Sequence, residues 1–426
     1  GDHRDIHSFP TRRSSDLPIN RKGFRTLYAP DIQRGQDGRY YLYYSFDFSG
    51  IISVAVCDTP AGKFAFYGHV HYPDGNLLGR KKGDNFQFDP AIFIDDDGKV
   101  FLYTGLGWAK NIWMNLYLKG KVYQGGYCIE LEGDMLTVKN PPKLIIAKNE
   151  VAGGTSFEGH GFFEASSMRK IGEKYYLIYS SIHGHELCYA ISDKPDGGFV
   201  YGGTIISNGD IFLNGRTEEK SLNYFGNNHG SIQKIRQQWY CFYHRQTNKH
   251  QFSRQACAER INIEKDGSIK QVEMSSCGLN GTPLMGKGEY EARIACNLIS
   301  SKGTLRYSVI RKQQLKGHPY FTQEGRDREE NGSQYIAAMQ DNAIAGFKYF
   351  DIQNLSSISV KVRGSAKGKM VVSLTMEGLP ISEIPISPTT NYTQFSGAAE
   401  VANGIYALYF RFIGKGILDF ISFNLE

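Results

Sequence analysis

From Phe24 onward one arrangement of polar and apolar positions returns along the chain. An acidic or polar residue sits among small residues, a Gly or polar turn follows, and then comes an aromatic strand close to Tyr-Tyr-Leu-Tyr-Tyr. The first copy joins Ala29-Pro30-Asp31 to Asp37-Gly38 and Tyr40 to Ser45; the second joins Phe88-Asp89-Pro90-Ala91 to Asp97-Gly98 and Val100 to Thr104. The third joins Phe163-Glu164-Ala165 to Gly172 and Tyr175 to Ser180, and the fourth joins Asn228-His229-Gly230-Ser231 to Trp239 through Arg245. Each aromatic strand is followed by another apolar one, such as Ile51 to Cys57 or Leu187 to Ile191. The copies recur about every 60 to 75 residues, a period that four strands with long loops fill. Helix signals are nearly absent here, so the pattern predicts a β-propeller.

That fold gives the polar positions a meaning. The innermost strand of each blade lines a central channel, so equivalent positions on successive blades converge. Asp31, Asp89, Glu164 and His229 are read as equivalent. Glu164, flanked by Phe162 and Phe163, is expected to be partly desolvated, which raises a carboxyl pKa toward the range a general acid needs. The structural alternative for Glu164 is a strand-end ion pair. For Asp31 it is a strand-entry turn bonded to backbone, and for His229 a satisfied core histidine. Asp95-Asp96-Asp97-Gly98 resembles the start of a calcium loop but lacks the remaining ligands, and a hairpin turn is expected.

Composition changes the picture in a few places. At 426 residues, two domains are the prior, and 13% aromatic residues with 48 glycines suit many short strands joined by tight turns. No stretch approaches the roughly 20 apolar residues of a membrane span, so no membrane partner is predicted. The net charge of +6 comes without a basic tail, which argues against nucleic acid. Seven cysteines without close pairing predict free thiols, with Cys57, Cys128, Cys188 and Cys257 expected to be buried. Residues Ser8 to Leu17 read like the in-frame translation of a DNA-sequencing adapter, and 1–17 are set aside from the fold. The compartment, extracellular or cytoplasmic, and the oligomeric state are left open.

With these motifs in this order, residues 24–284 resemble family 43 glycoside hydrolases, five-bladed propellers acting on arabinose- and xylose-containing plant polysaccharides. The resemblance implies an inverting α-L-arabinofuranosidase or β-xylosidase with an oligo- or polysaccharide partner and no required cofactor. Glu164 matches the general acid. Asp89 matches the carboxylate that orients the acid and raises its pKa. His229 matches a histidine that holds an ion such as Ca2+ through water. Asp31, His229 and Arg245 are the substrate-binding candidates.

Inversion also needs a base about 6.5 to 9.5 Å from the acid, and the family carries it on a blade ahead of Ala29-Pro30-Asp31. Asp2, Asp5 and Asp16 precede no aromatic core strand. The expectation is therefore a propeller of the five-bladed type without its first blade, lacking its base, which puts the activity of this chain in doubt. A noncatalytic carbohydrate-binding propeller is the alternative, and a protein-binding scaffold is a third.

The propeller is assigned to residues 18–284, with a linker to Gly288. From 289 to 426, period-two strands at Ser356 to Arg363, Lys369 to Met376, Tyr392 to Ser396, Ile405 to Ile413 and Ile417 to Asn424 predict a β-sandwich. Tyr335 to Asp351 is similar to family 6 carbohydrate-binding modules. Its aromatic candidates Tyr349, Phe350, Tyr406 and Tyr409 read equally as core.

Overall fold

The structure is a computed structural model that describes residues 27–46, 49–108, 123–307, 316–325 and 332–426, and only the backbone of 250–252. The segment 1–17 and most of the Trp108 to Tyr123 loop lie outside the described residues.

The repeat folds as antiparallel meanders. The first blade runs β1 (Leu27–Arg34), β2 (Tyr40–Phe46), β3 (Ser53–Cys57) and β4 (Ala65–His69). The second runs β5 (Ala91–Ile94), β6 (Val100–Leu106), β7 (Gly125–Leu131) and β8 (Lys143–Ala147). The third runs β9 (Phe162–Ile171), β10 (Lys174–Ser181), β11 (Glu186–Ser192) and β12 (Val200–Ser207). A three-stranded sheet orders β13 (Ser231–Ile235), β14 (Gln238–Thr247) and β15 (His250–Ile261).

The aromatic strands are apolar on both faces because a blade is buried on both faces. Tyr41, Tyr43, Ile92, Leu102 and Ile129 fill the space between the first two blades. Phe101, Tyr103, Phe162, Leu177 and Tyr179 fill the next. Buried tyrosines must also place their hydroxyls. Tyr43 donates to the Met135 carbonyl at 2.5 Å, Tyr103 to that of Pro195 at 3.0 Å and Tyr179 to that of His160 at 2.8 Å. The same residues that build the core therefore pin the loops between strands. The Asp95–Gly98 stretch is the expected hairpin turn, closed by Gly98 N–H on Asp95 O at 2.9 Å, with Lys170 on Asp95 and Asp96 and Lys99 on Asp97.

The chain forms two compact units. Of the described residues, one unit comprises those from 27 to 205 with 229–232 and 263–269, and the other those of 206–228, 233–262 and from 270 to 426. In the second unit two six-stranded sheets face each other over Phe347, Phe350, Phe410, Phe412, Phe420 and Phe423, a β-sandwich as predicted. The five predicted strands appear as Ser357–Gly364, Lys367–Ser373, Thr389–Ala398, Gly404–Lys415 and Leu418–Leu425. Phe350 and Tyr409 are buried in the packing, and Tyr349 spends its hydroxyl on Glu273.

The stretch read as a linker is not one. Leu284–Met285 pairs in parallel with Phe350–Asp351, and Gly288–Glu291 pairs with Ser422–Leu425. Strands β14 and β15 also group with the sandwich in the second unit, where Arg245 of β14 donates to the carbonyls of Arg293 and Ala295. All seven cysteines are free; Cys128 and Cys188 are buried as expected, while Cys57 and Cys257 are half-exposed. Among the described residues no helix is long and apolar enough to cross a membrane.

Candidate active site

Register, which fixes where each side chain points, corrects one expectation. Asp31 pairs with Tyr43, Ala91 with Tyr103 and Ser167 with Ile178. Aligned on those pairs, the recurring feature is a backbone conformation. Ala29 (φ 24°), Asp89 (φ 46°) and Ala165 (φ 71°) fall at one position of the three inner strands, all in the left-handed region. The acidic residues are staggered around it: Glu164 comes one residue before, Asp89 occupies it and Asp31 comes two after. The hairpin turns conceal this offset, since Arg34 and Tyr40 flank five turn residues whereas Ile171 and Lys174 flank two.

Glu164 stands between two irregularities. Ser180 pairs with Glu164, Ile178 with Ser167 and Ser181 with Phe162, so β9 carries an extra residue on each side of the glutamate. Bulges of this kind re-aim a side chain out of the regular alternation. A left-handed alanine persists only where its surroundings hold it, at a cost on the order of 1–2 kcal/mol. Here the constraint is visible. Gly107 donates to Phe163 O at 2.7 Å, and a Cβ on Gly107 would lie 1.7 Å from Phe162 O. Only glycine permits that approach. The ring of Phe163, the residue before Glu164, meets Trp108 edge-on at 6.0 Å, and Glu164 is half-buried.

Asp89 is 3% exposed. Thr104 fixes the residue before it, its hydroxyl accepting from Phe88 N and donating to Phe88 O, both at 2.8 Å. The Oδ2 of Asp89 lies 3.7 Å from Nδ1 of His229, whose side chain is 25% exposed. Ser167 donates to the Ser231 hydroxyl at 2.9 Å, so His229, two residues earlier, falls level with Ala165 and Asp89. These two groups are therefore brought together.

Asp31 goes elsewhere. Its Oδ2 accepts from Ile92 N at 2.9 Å, joining β1 to the next inner strand. Burial pushes its carboxyl up, opposed by the Arg169 charge and the N–H groups of Ile92 and Ile32. Arg169 in turn donates to Ile232 O at 2.9 Å. This is the backbone-bonded role its sequence left open. Arg245 is 4% exposed in the second unit. Its Nε and Nη2 donate to Gln255 Oε1 at 3.0 and 2.9 Å, Nη2 also to Arg293 O at 2.5 Å and Nη1 to Ala295 O, and its guanidinium lies 3.7 Å over the Phe321 ring. Those donors are committed to holding β14 against residues 293–295 and Phe321.

Sequence reasoning missed Gly107 and Thr104, which place the candidate acid and its neighbour. Gly107 followed an apolar strand as any turn glycine would, and its close approach to Phe162 is set by a residue 55 positions away. The ion expected at His229 is one held through water; for direct ligation, among the described residues no third His, Cys, Asp or Glu joins His229 and Asp89 closely enough.

The profile of glycosyl hydrolases family 43 matches residues 5–269, more than half of the chain. The chain belongs to glycoside hydrolase family 43. A relative named xylosidase/arabinosidase, from Thermoclostridium stercorarium, is 46% identical over 415 residues, covering 97% of this chain and 85% of its own length. A relative named β-xylosidase, from Xylanibacter ruminicola, is 30% identical over 254 residues, covering 56% of this chain and 72% of its own length. A solved family 43 arabinoxylan arabinofuranohydrolase from Bacillus subtilis is 21% identical, with a TM-score of 0.45 over 93% of this chain and 79% of that one. Membership makes the chain a glycoside hydrolase, built on the propeller blades described above.

Proposed function

We propose that the family 43 unit hydrolyses glycosidic bonds of arabinose- or xylose-containing oligo- and polysaccharides with inversion, and that Glu164 is the general acid. The observation that carries the assignment is the double bulge around Glu164, anchored by Gly107 and preceded by Phe163, whose ring meets Trp108. A carboxyl beside apolar rings holds its proton more tightly, and a positioned acid protonates the departing glycosidic oxygen as the bond breaks. Asp89 is assigned the orienting role. It is buried beside an imidazole on the neighbouring inner strand, and a second carboxylate near an acid raises that acid's pKa. The names of the two relatives support a pentose substrate, and the alternation between arabinose and xylose stays within one proposal.

The test is release of pentose units from unactivated arabino- and xylo-oligosaccharides by the full chain, compared with Glu164→Gln. Sodium azide is included as a second arm, because an anionic nucleophile needs no base to activate it. Turnover in plain buffer places a working base within the chain. Turnover only with azide leaves the acid in place and the base outside. No turnover in either arm, or a Glu164→Gln chain that matches the unmodified one in both, overturns the assignment.

A further inference from the structure

A second cluster of chemistry-bearing side chains occupies the same end of the third blade. Ser180 pairs with Glu164 and Ser181 with Phe162, and just beyond that pairing the chain places His183 and Glu186, facing His160 from the loop that leads into β9. Glu186 is fully buried, an expensive position for a carboxylate unless its oxygens are engaged. Its Oε1 lies 2.8 Å from His160 Nδ1 and accepts from the Ser181 hydroxyl, and its Oε2 accepts from Thr204 at 2.8 Å.

Both imidazoles are oriented. His160 stacks on Tyr201 at 4.6 Å and 13°. His183 Nε2 lies 3.1 Å from Gly159 O, and since a carbonyl can only accept, that nitrogen carries the proton and leaves the lone pair on Nδ1. One ligand atom from each of His160, His183 and Glu186 falls within 4.8 Å of the others.

We propose that His160, His183 and Glu186 form a binding site for a divalent transition-metal ion of the zinc class. Two imidazoles and one carboxylate are a donor set suited to zinc, cobalt or nickel, with positions left for water, and unsuited to calcium, which wants oxygen alone. The surroundings fit the same reading. Metal-bound imidazoles characteristically give their other N–H to a carbonyl or carboxylate, and ligating carboxylates are themselves hydrogen-bonded; Gly159 O, Ser181 and Thr204 supply those contacts. On binding, the ion takes the place of the proton between His160 and Glu186, and that proton leaves to solvent. The site is independent of the catalytic assignment, because metal is read directly. Its consequence for the fold is local: the ion would tie residues 159–161, which lead into the acid's strand, to the end of β10.

The experiment is calorimetric titration of the untagged, metal-stripped and fully reduced chain with Zn2+, paralleled by Co2+ absorption. The expected result is one ion per chain, a cobalt spectrum without thiolate charge-transfer bands, and an affinity lowered at least about tenfold by His183→Ala. His183 is half-exposed, so that variant keeps the buried Glu186 contacts. The cobalt spectrum needs no variant and stands even if one fails to fold. Absence of saturable binding up to about 1 mM, thiolate bands from the free cysteines, or an unchanged affinity in His183→Ala would each overturn the site. In those cases the three residues are a hydrogen-bonded brace.

Discussion

Asp31 and Glu164 stand on inner strands with the same backbone irregularity and serve opposite ends. In the first blade the left-handed residue is Ala29, and the acid two positions later turns to the neighbouring strand, where Ile92 N–H and the Arg169 charge absorb it. In the third blade the left-handed residue is Ala165, and the acid one position earlier sits half-buried between two bulges. A shared distortion supplies the opportunity, and the offset from it decides whether a carboxylate braces the blades or faces the chemistry.

The largest expected effect follows from that contrast. Glu164→Gln keeps shape and loses the proton, and should lower cleavage of an unactivated xylo- or arabino-oligosaccharide by about 10²- to 10⁴-fold. Asp31→Asn should leave turnover within a few-fold. Equal losses in the two variants, measured as kcat/KM, would break the comparison. Next is Gly107→Ala. The added methyl must push Phe162 and Phe163 aside, and a shift of about 1 Å at a catalytic group can cost on the order of 10²-fold. The readout is kcat/KM beside an unchanged melting profile for the sandwich.

A smaller effect, on stability, belongs to the brace. Asp31→Ala deprives Ile92 N–H of its acceptor and should cost about 1–3 kcal/mol in urea unfolding, with little change in kcat. A stable but inactive variant would move Asp31 into the chemistry.

A further effect, seen only as pH changes, concerns a buried carboxylate. Glu259, in the second unit, is pushed up to about 8 by burial, against hydrogen bonds from Ser275 and Tyr243. Its folded pKa lies above the unfolded value of about 4.3, so the folded chain holds the proton longer. Its contribution to stability is whole below pH 4 and is lost as pH rises toward 8. Glu259→Gln should flatten that fall between pH 5 and 8. An unchanged slope would show that Glu259 is not the group responsible.

Much of this was legible in the sequence, for physical reasons. Aromatic strands after polar turns declare blades because a surface buried on both sides needs large apolar residues at every position, and Glu164, directly after Phe162 and Phe163, stands out as a carboxyl at the start of such a strand pair. What stayed hidden depends on distant backbone. Ala165 gives no sign of a left-handed φ, because alanine is not the residue that usually adopts it. The five- and two-residue turns disguise the stagger of Asp31, Asp89 and Glu164. Arg245 reads as a ligand-binding arginine until its carbonyl partners at 293 and 295 arrive from the far side of the presumed linker. That linker in turn looked like one because Gly286 and Gly288 interrupt short strands whose partners, Phe350 and Leu425, lie far along the chain.

The most direct test of the central claim varies the leaving group. A general acid matters only when the departing oxygen needs a proton. With azide present throughout, Glu164→Gln should cleave a 2,4-dinitrophenyl pentoside at a rate near that of the unmodified chain and fail on the corresponding oligosaccharide. A variant equally impaired on both substrates, or on neither, would contradict the assignment of Glu164.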